Sequence, residues 1–129
     1  MSAVRRLLLA DAVISGTTGI VMLLGTDVLQ AWLALPAALI RHAGLILLPF
    51  AAMVLFFSRS AGLTSRRVWT VILMNAAWAV GSVLLLVSGW IDPNAFGVGF
   101  VLVQALAVAA LAEFQYAVLR AQARDGTLA

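Results

Sequence analysis

Residues 68–90 read VWTVILMNAAWAVGSVLLLVSGW, 23 positions without a charged side chain, entered directly after Arg66 and Arg67. As a helix rising 1.5 Å per residue this run is about 35 Å long, more than the ~30 Å needed to cross a bilayer's hydrocarbon. Trp69 and Trp90 bracket it, about 31 Å apart, and read as anchors at the two interfaces. Runs of the same character occupy 7–25, 37–57 and 97–119. Backbone inside hydrocarbon must pair its own N–H and C=O groups, and four helices do so without closing a barrel. The expectation is an all-α membrane protein: one transmembrane domain over 1–129, folded as a four-helix bundle.

Composition supports this and removes several functions. The chain is 64% hydrophobic and 10% charged, with a mean hydropathy of +1.11, whereas soluble domains are about 45–50% apolar and about 25% charged. There is no cysteine, so disulfides, thiolate metal sites and thiol exchange are out. There is no lysine, so no lysine imine can form. The single histidine, His42, cannot ligate a haem from both sides within one chain. Gly97-Val98-Gly99 lacks the strand and following glycine of a nucleotide site, and no nucleophile–base pair is visible. No enzyme, catalytic residue, metal or cofactor is expected.

The eight arginines give a net charge of +3, but they stand at the ends of apolar runs and imply no nucleic-acid partner. Seven of them (Arg5, Arg6, Arg59, Arg66, Arg67, Arg120, Arg124) fall on one side of the expected bundle, against Arg41 alone on the other. By the positive-inside rule both termini and the 58–67 loop are cytoplasmic. The stretch from Met1 to Arg6 followed by apolar residues resembles the start of a signal peptide, but Asp11 and the length of the run argue for a retained helix. Thr26 and Asp27 supply an N-cap signal for a short interfacial helix ending at Pro36, Pro36 suits the first turn of the second span, and Pro49 in its middle should kink it.

Ionisable groups inside a membrane are costly and mark functional sites. Asp11 lies about 7 Å beyond Arg6, Glu113 about 10 Å beyond Arg120 and Asn75 about 12 Å beyond Arg67 along their helices, so three helices place polar groups in one inner layer. Two readings follow. Either Asp11 and Glu113 reach back to their own arginines while Asn75 joins helices by hydrogen bonds, or the acids face one another and form a protonatable ligand site beside Asn75 and Trp78. A second, outer polar layer holds Arg41, His42, Ser82 and Gln104, with Thr18 at a similar height. Arg41 and His42 read first as an interfacial pair meeting lipid phosphates, and second as part of a substrate site. Gln104 and Gln115 share a face of the last helix, with Glu113 nearly opposite Gln104. Two polar faces on one helix exceed what one bundle interior uses, so one is expected to meet a second copy or another membrane protein.

A shift of 64 residues sets Asp11, Ser15, Thr18, Met22 and Gly25 over Asn75, Ala79, Ser82, Leu86 and Gly89. This is either a parallel internal repeat or the coincidence of two amphipathic stripes. The spacings Ala12-x-x-x-Gly16 and Ser15-x-x-x-Gly19 allow close helix approach.

The segments Arg41–Phe50 (RHAGLILLPF) and Asn75–Ser82 (NAAWAVGS) resemble small uncharacterised bacterial four-helix integral membrane proteins, a resemblance that implies no known chemistry. In size and helix count the chain is also similar to small multidrug-resistance transporters, which act as dimers around a mid-helix glutamate in their first helix. Here that helix has only Asp11, near its inner end, and the other motifs are absent, which argues against drug export. An arginine-only, alanine-rich chain is consistent with a GC-rich bacterial source. The functional expectation is an inner-membrane binding or accessory protein, stabilising a membrane complex or holding an apolar ligand of lipid or quinone type. The alternative is a dimeric proton-coupled transporter using Asp11 and Glu113. Membrane lipids, with a second copy or another membrane protein, are the expected partners.

Overall fold

Gly25, the 34–36 link, the 60–64 connection and the 89–94 turn separate the helices of the described residues. The computed structural model describes residues 2–124; Met1, the first residue of the signal-peptide-like start, lies outside them. Five helices follow in order: α1 (Ser2–Leu24), α2 (Thr26–Leu33), α3 (Ala37–Arg59), α4 (Ser65–Ser88) and α5 (Ala95–Arg124). Among the described residues there is no strand. Helices α1, α3, α4 and α5 are each long and apolar enough to cross a membrane, the architecture of a multi-pass membrane protein. Their large apolar side chains point outward in number, among them Leu24, Val87, Phe96 and Val103, because lipid rather than a core receives them.

The spans outrun the apolar segments at the arginine-rich end, since Arg59, Ser65 and Arg124 continue a helix outside hydrocarbon as well as inside it. Thr64 caps α4 by accepting from the Arg67 backbone N–H (3.3 Å). At the other end α4 stops before Trp90, where Gly89 takes a left-handed φ of 81°, a conformation that suits glycine. α3 runs through Pro49 to Arg59, and Pro36 stands one residue before it as its N-cap. Thr26 does not cap α2. Gly25 holds the N-cap position, and the Thr26 hydroxyl donates back to the carbonyls of Met22 (2.6 Å) and Leu23 (3.0 Å), satisfying acceptors that the end of α1 would leave orphaned.

The spans associate in two pairs, α1 with α3 and α4 with α5, and each pair touches the other far less. The first pair is drawn together by glycine. A Cβ on Gly44 would sit 2.9 Å from the Gly19 carbonyl oxygen, and one on Gly19 would sit 3.1 Å from the Leu47 Cβ. The small-residue spacings of α1 thus serve contact within the chain. The 64-residue shift carries α1 onto 66–88, inside α4, and α3 onto 101–123, inside α5. Pairing α1–α3 and α4–α5 is what two copies of one hairpin would give.

At the arginine-rich end all four spans converge on one core: Val4, Leu8 and Ala12 of α1, Val54 of α3, Val68, Val71 and Ile72 of α4, and Ala112 and Leu119 of α5. A second core at the opposite end gathers Met22, Leu33, Leu35, Ile40, Leu47 and Val101, and α4 has no fully buried residue there. The buried positions of α4 stop at Asn75. Beyond it α4 contributes only partly buried side chains to the second core, Trp78 and Leu86 among them, and a cavity lies between the two pairs.

Candidate functional site

Two polar clusters occupy the bundle, one at the point of closure and one in the opening. The first is built on Asp11, which is fully buried. Its Oδ1 accepts from the Ser15 hydroxyl one turn along α1 (3.1 Å). Its Oδ2 accepts from Asn75 Nδ2 of α4 (2.7 Å) and from Gln115 Nε2 of α5 (2.9 Å). Asn75 Nδ2 also reaches Gln115 Oε1 (3.3 Å). A carboxylate is acceptor-only, and every partner here is a neutral donor. The cluster therefore ties α1 of the first pair to both helices of the second.

Glu113 is not part of it. It lies exposed, two residues and about 200° around α5 from Gln115, and Arg120 directs its guanidinium onto the Tyr116 ring and hydroxyl instead. Within one chain the two acids do not face each other. The amide of Gln115, assigned by sequence only to a polar face of α5, takes the place beside Asp11. Its spacing of eleven from Gln104 put it on the inward face; nothing in the sequence alone chose that face over the one carrying Glu113.

The second cluster joins Trp78, Ser82 and Gln104. Trp78 Nε1 donates to Gln104 Oε1 (2.8 Å), Gln104 Nε2 donates to Ser82 Oγ (3.0 Å) and to the Val101 carbonyl (2.9 Å), and Ser82 Oγ donates to the Trp78 carbonyl (2.7 Å). Trp78, placed by depth in the inner layer, belongs by its hydrogen bonds to the outer one. Arg41 and His42 stand apart and exposed, with His42 Nδ1 against the Ala38 carbonyl of its own helix (2.6 Å).

Comparison with protein-family models, with curated proteins and with solved structures found no match.

Trp78, Ser82 and Gln104 form one wall of a cavity of about 280 Å³ between the two helix pairs. Thr18 and Met22 of α1, Leu39, Ala43 and Leu47 of α3, and Gly81 and Leu85 of α4 are among the other residues that line it. It is open on one side, and none of its lining residues is charged. A smaller void of about 60 Å³ lies deeper, against Ser15 and Asn75; Leu47 and Trp78 line both and separate them. Among the described residues no group of histidine and acidic side chains is placed to hold a metal ion.

Proposed function

We propose that this protein is an integral membrane binding protein that holds an apolar ligand, of lipid or quinone type, in the cleft between its two helix pairs. The observation that carries the reading is the cavity itself: apolar walls with a few converging polar groups are the ordinary composition of a small-molecule site, and this one is lined by residues of all four spans. The Asp11 cluster is the closed hinge end of that cleft, and its role is to hold the pairs together. A dimeric proton-coupled transporter built on Asp11 and Glu113 is the weaker reading, because the two acids do not meet in one chain.

The seven-to-one arginine distribution supports both termini inside, α2 at the outer interface, and the inner membrane of a bacterium as the setting. An accessory role in a larger complex, or a second copy, would use the outward face of α5 that carries Glu113.

The test is native mass spectrometry of protein extracted in mild detergent. A bound apolar molecule is expected on the wild type and not on Gly81→Leu, which adds a bulky side chain to a position that lines the cavity and where a Cβ meets nothing within 4 Å. Wild-type protein that emerges without ligand from native-lipid nanodiscs would count against the reading.

A further inference from the structure

We propose that the ligand is a neutral amphiphile ending in a hydroxyl group, alcohol or phenol, and that the site selects it through the lone pairs of Gln104 Oε1 and Ser82 Oγ. This rests on the cavity being a ligand site, as argued above, and adds which head group it takes.

An indole Nε1–H only donates, so its bond to Gln104 fixes the amide: the oxygen faces Trp78 and the nitrogen faces Ser82 and Val101. Both amide hydrogens are then used. The Ser82 hydroxyl hydrogen is used as well, on the Trp78 carbonyl. The polar groups that α4 and α5 offer to the cavity thus have lone pairs left and no donor left. On the facing wall Thr18, the residue that the 64-residue shift sets over Ser82, lines the same cavity with no hydrogen-bond partner for its hydroxyl. A ligand hydroxyl complements both walls: it carries the donor that the lone pairs of Gln104 and Ser82 lack and an acceptor for the Thr18 hydroxyl.

Other head groups fit worse. A ketone or quinone carbonyl only accepts, so it uses Thr18 and leaves the opposite lone pairs without a donor. A phosphate or ammonium meets no counter-charge, since no charged residue lines the cavity. At about 280 Å³ the space is near the lower end of ligand pockets, ~300–1,000 Å³. It accommodates a head group and the first part of a chain, and the rest leaves through the open side between spans.

The experiment measures equilibrium binding of four tritiated probes to the protein in nanodiscs, with partition into empty nanodiscs subtracted: dodecanol, dodecyl methyl ether, 4-octylphenol and 4-octylanisole. The ethers keep the acceptor and lose the donor. We expect at least one hydroxyl probe to bind roughly three- to tenfold more tightly than its own ether, the scale of one hydrogen bond, and that ratio to fall to about one in Gln104→Met. The aliphatic and aromatic arms separate a lipid-type alcohol from a quinol-type phenol. If Gln104→Met does not fold, Ser82→Ala keeps the test open and should reduce the ratio by about half or more. Equal binding of alcohols and ethers, both displaced by Gly81→Leu, overturns the hydroxyl selection and leaves the ligand-binding reading intact. No saturable binding of any probe, or binding that Gly81→Leu does not alter, overturns both.

Discussion

Asn75 donates to the buried carboxylate of Asp11 at 2.7 Å, and the two residues are related by the 64-position shift that carries α1 into α4. The bond therefore joins corresponding points of the two helix pairs at the level where they part company. On one side of it four spans share a core. On the other, α4 buries nothing fully, and the cavity begins. Closure and opening are set by the same pair of side chains.

Removing the acceptor should unlock the pairs. Asp11→Ala strands the amide donors of Asn75 and Gln115 in an apolar layer. A buried unsatisfied group costs about 1–3 kcal/mol, moderated in bilayers, where interhelical hydrogen bonds average about 0.6 kcal/mol. A loss of about 2 kcal/mol is expected in detergent-induced unfolding followed by circular dichroism, with Asp11→Asn between it and the wild type. Glu113→Gln, on an exposed position, should stay within about 0.5 kcal/mol. Equal effects at the two acids would mean that the cluster does not join the pairs.

The contrast between those two acids also marks what the sequence could and could not tell. Lipid leaves few ways to read runs such as 68–90, so spans and their number were legible. Depth was legible too, because 1.5 Å per residue is enough to put Asp11 and Asn75 in one layer. Azimuth was not: Glu113 and Gln115 differ by a few ångströms in height and by half a helix circumference in direction, and only packing chooses between them. Trp78 lines the inner void with Asn75 and the outer cavity as well, and depth alone does not say which way its indole N–H turns. It stands about 4.5 Å beyond Asn75, and its indole reaches onward to Gln104 rather than back to Asp11. The cavity was invisible because it depends on how the two helix pairs pack against each other, which no local pattern encodes.

Two glycines separate close packing from helix propensity. At Gly44 an added Cβ would come within 2.9 Å of the Gly19 carbonyl oxygen and 3.0 Å of Leu23 Cγ, and backbone cannot yield cheaply. Overpacking of this kind costs about 1–3 kcal/mol. At Gly99 a Cβ meets nothing within 4 Å, so alanine there gains up to about 1 kcal/mol of helix propensity. Gly44→Ala should therefore unfold at least about 1 kcal/mol more easily than Gly99→Ala in the same titration. Indistinguishable variants would show that α1 and α3 do not approach as closely as described.

The junction of α2 with α5 rests on Asn94 and Gly97. Asn94 Nδ2 donates to the Trp32 carbonyl (2.8 Å), its backbone N–H donates to the Leu33 carbonyl (3.3 Å), and its Oδ1 accepts from the Gly97 N–H (2.9 Å). A Cβ on Gly97 would fall on the Leu33 carbonyl oxygen. Gly97→Ala and Asn94→Ala should both free α2 while the Asp11 cluster at the far end holds. Hydrogen exchange should report it as about a tenfold loss of protection for amides of 29–34, or ~1.4 kcal/mol of local stability. Protection at 71–75 should be unchanged; a loss spread evenly over both regions would contradict a local junction.

The absence of cysteine makes the membrane orientation directly testable, because each introduced thiol is the only one present. Gly62 lies exposed in the α3–α4 connection, with nothing within 4 Å of an added Cβ, and Asp92 lies exposed in the α4–α5 turn. The first connection is flanked by Arg59, Arg66 and Arg67 and the second by no arginine within ten residues, from which the positive-inside rule predicts the first in the cytoplasm. A membrane-impermeant maleimide should label Asp92→Cys in intact cells and Gly62→Cys only after permeabilisation. The same result fixes where the cavity lies: its lining residues, Ser82 and Gln104 among them, belong to the half of the spans nearer Asp92, so a ligand would enter from the outer leaflet. The reverse labelling pattern would invert the bundle and put both the arginines and the Asp11 cluster on the outer side.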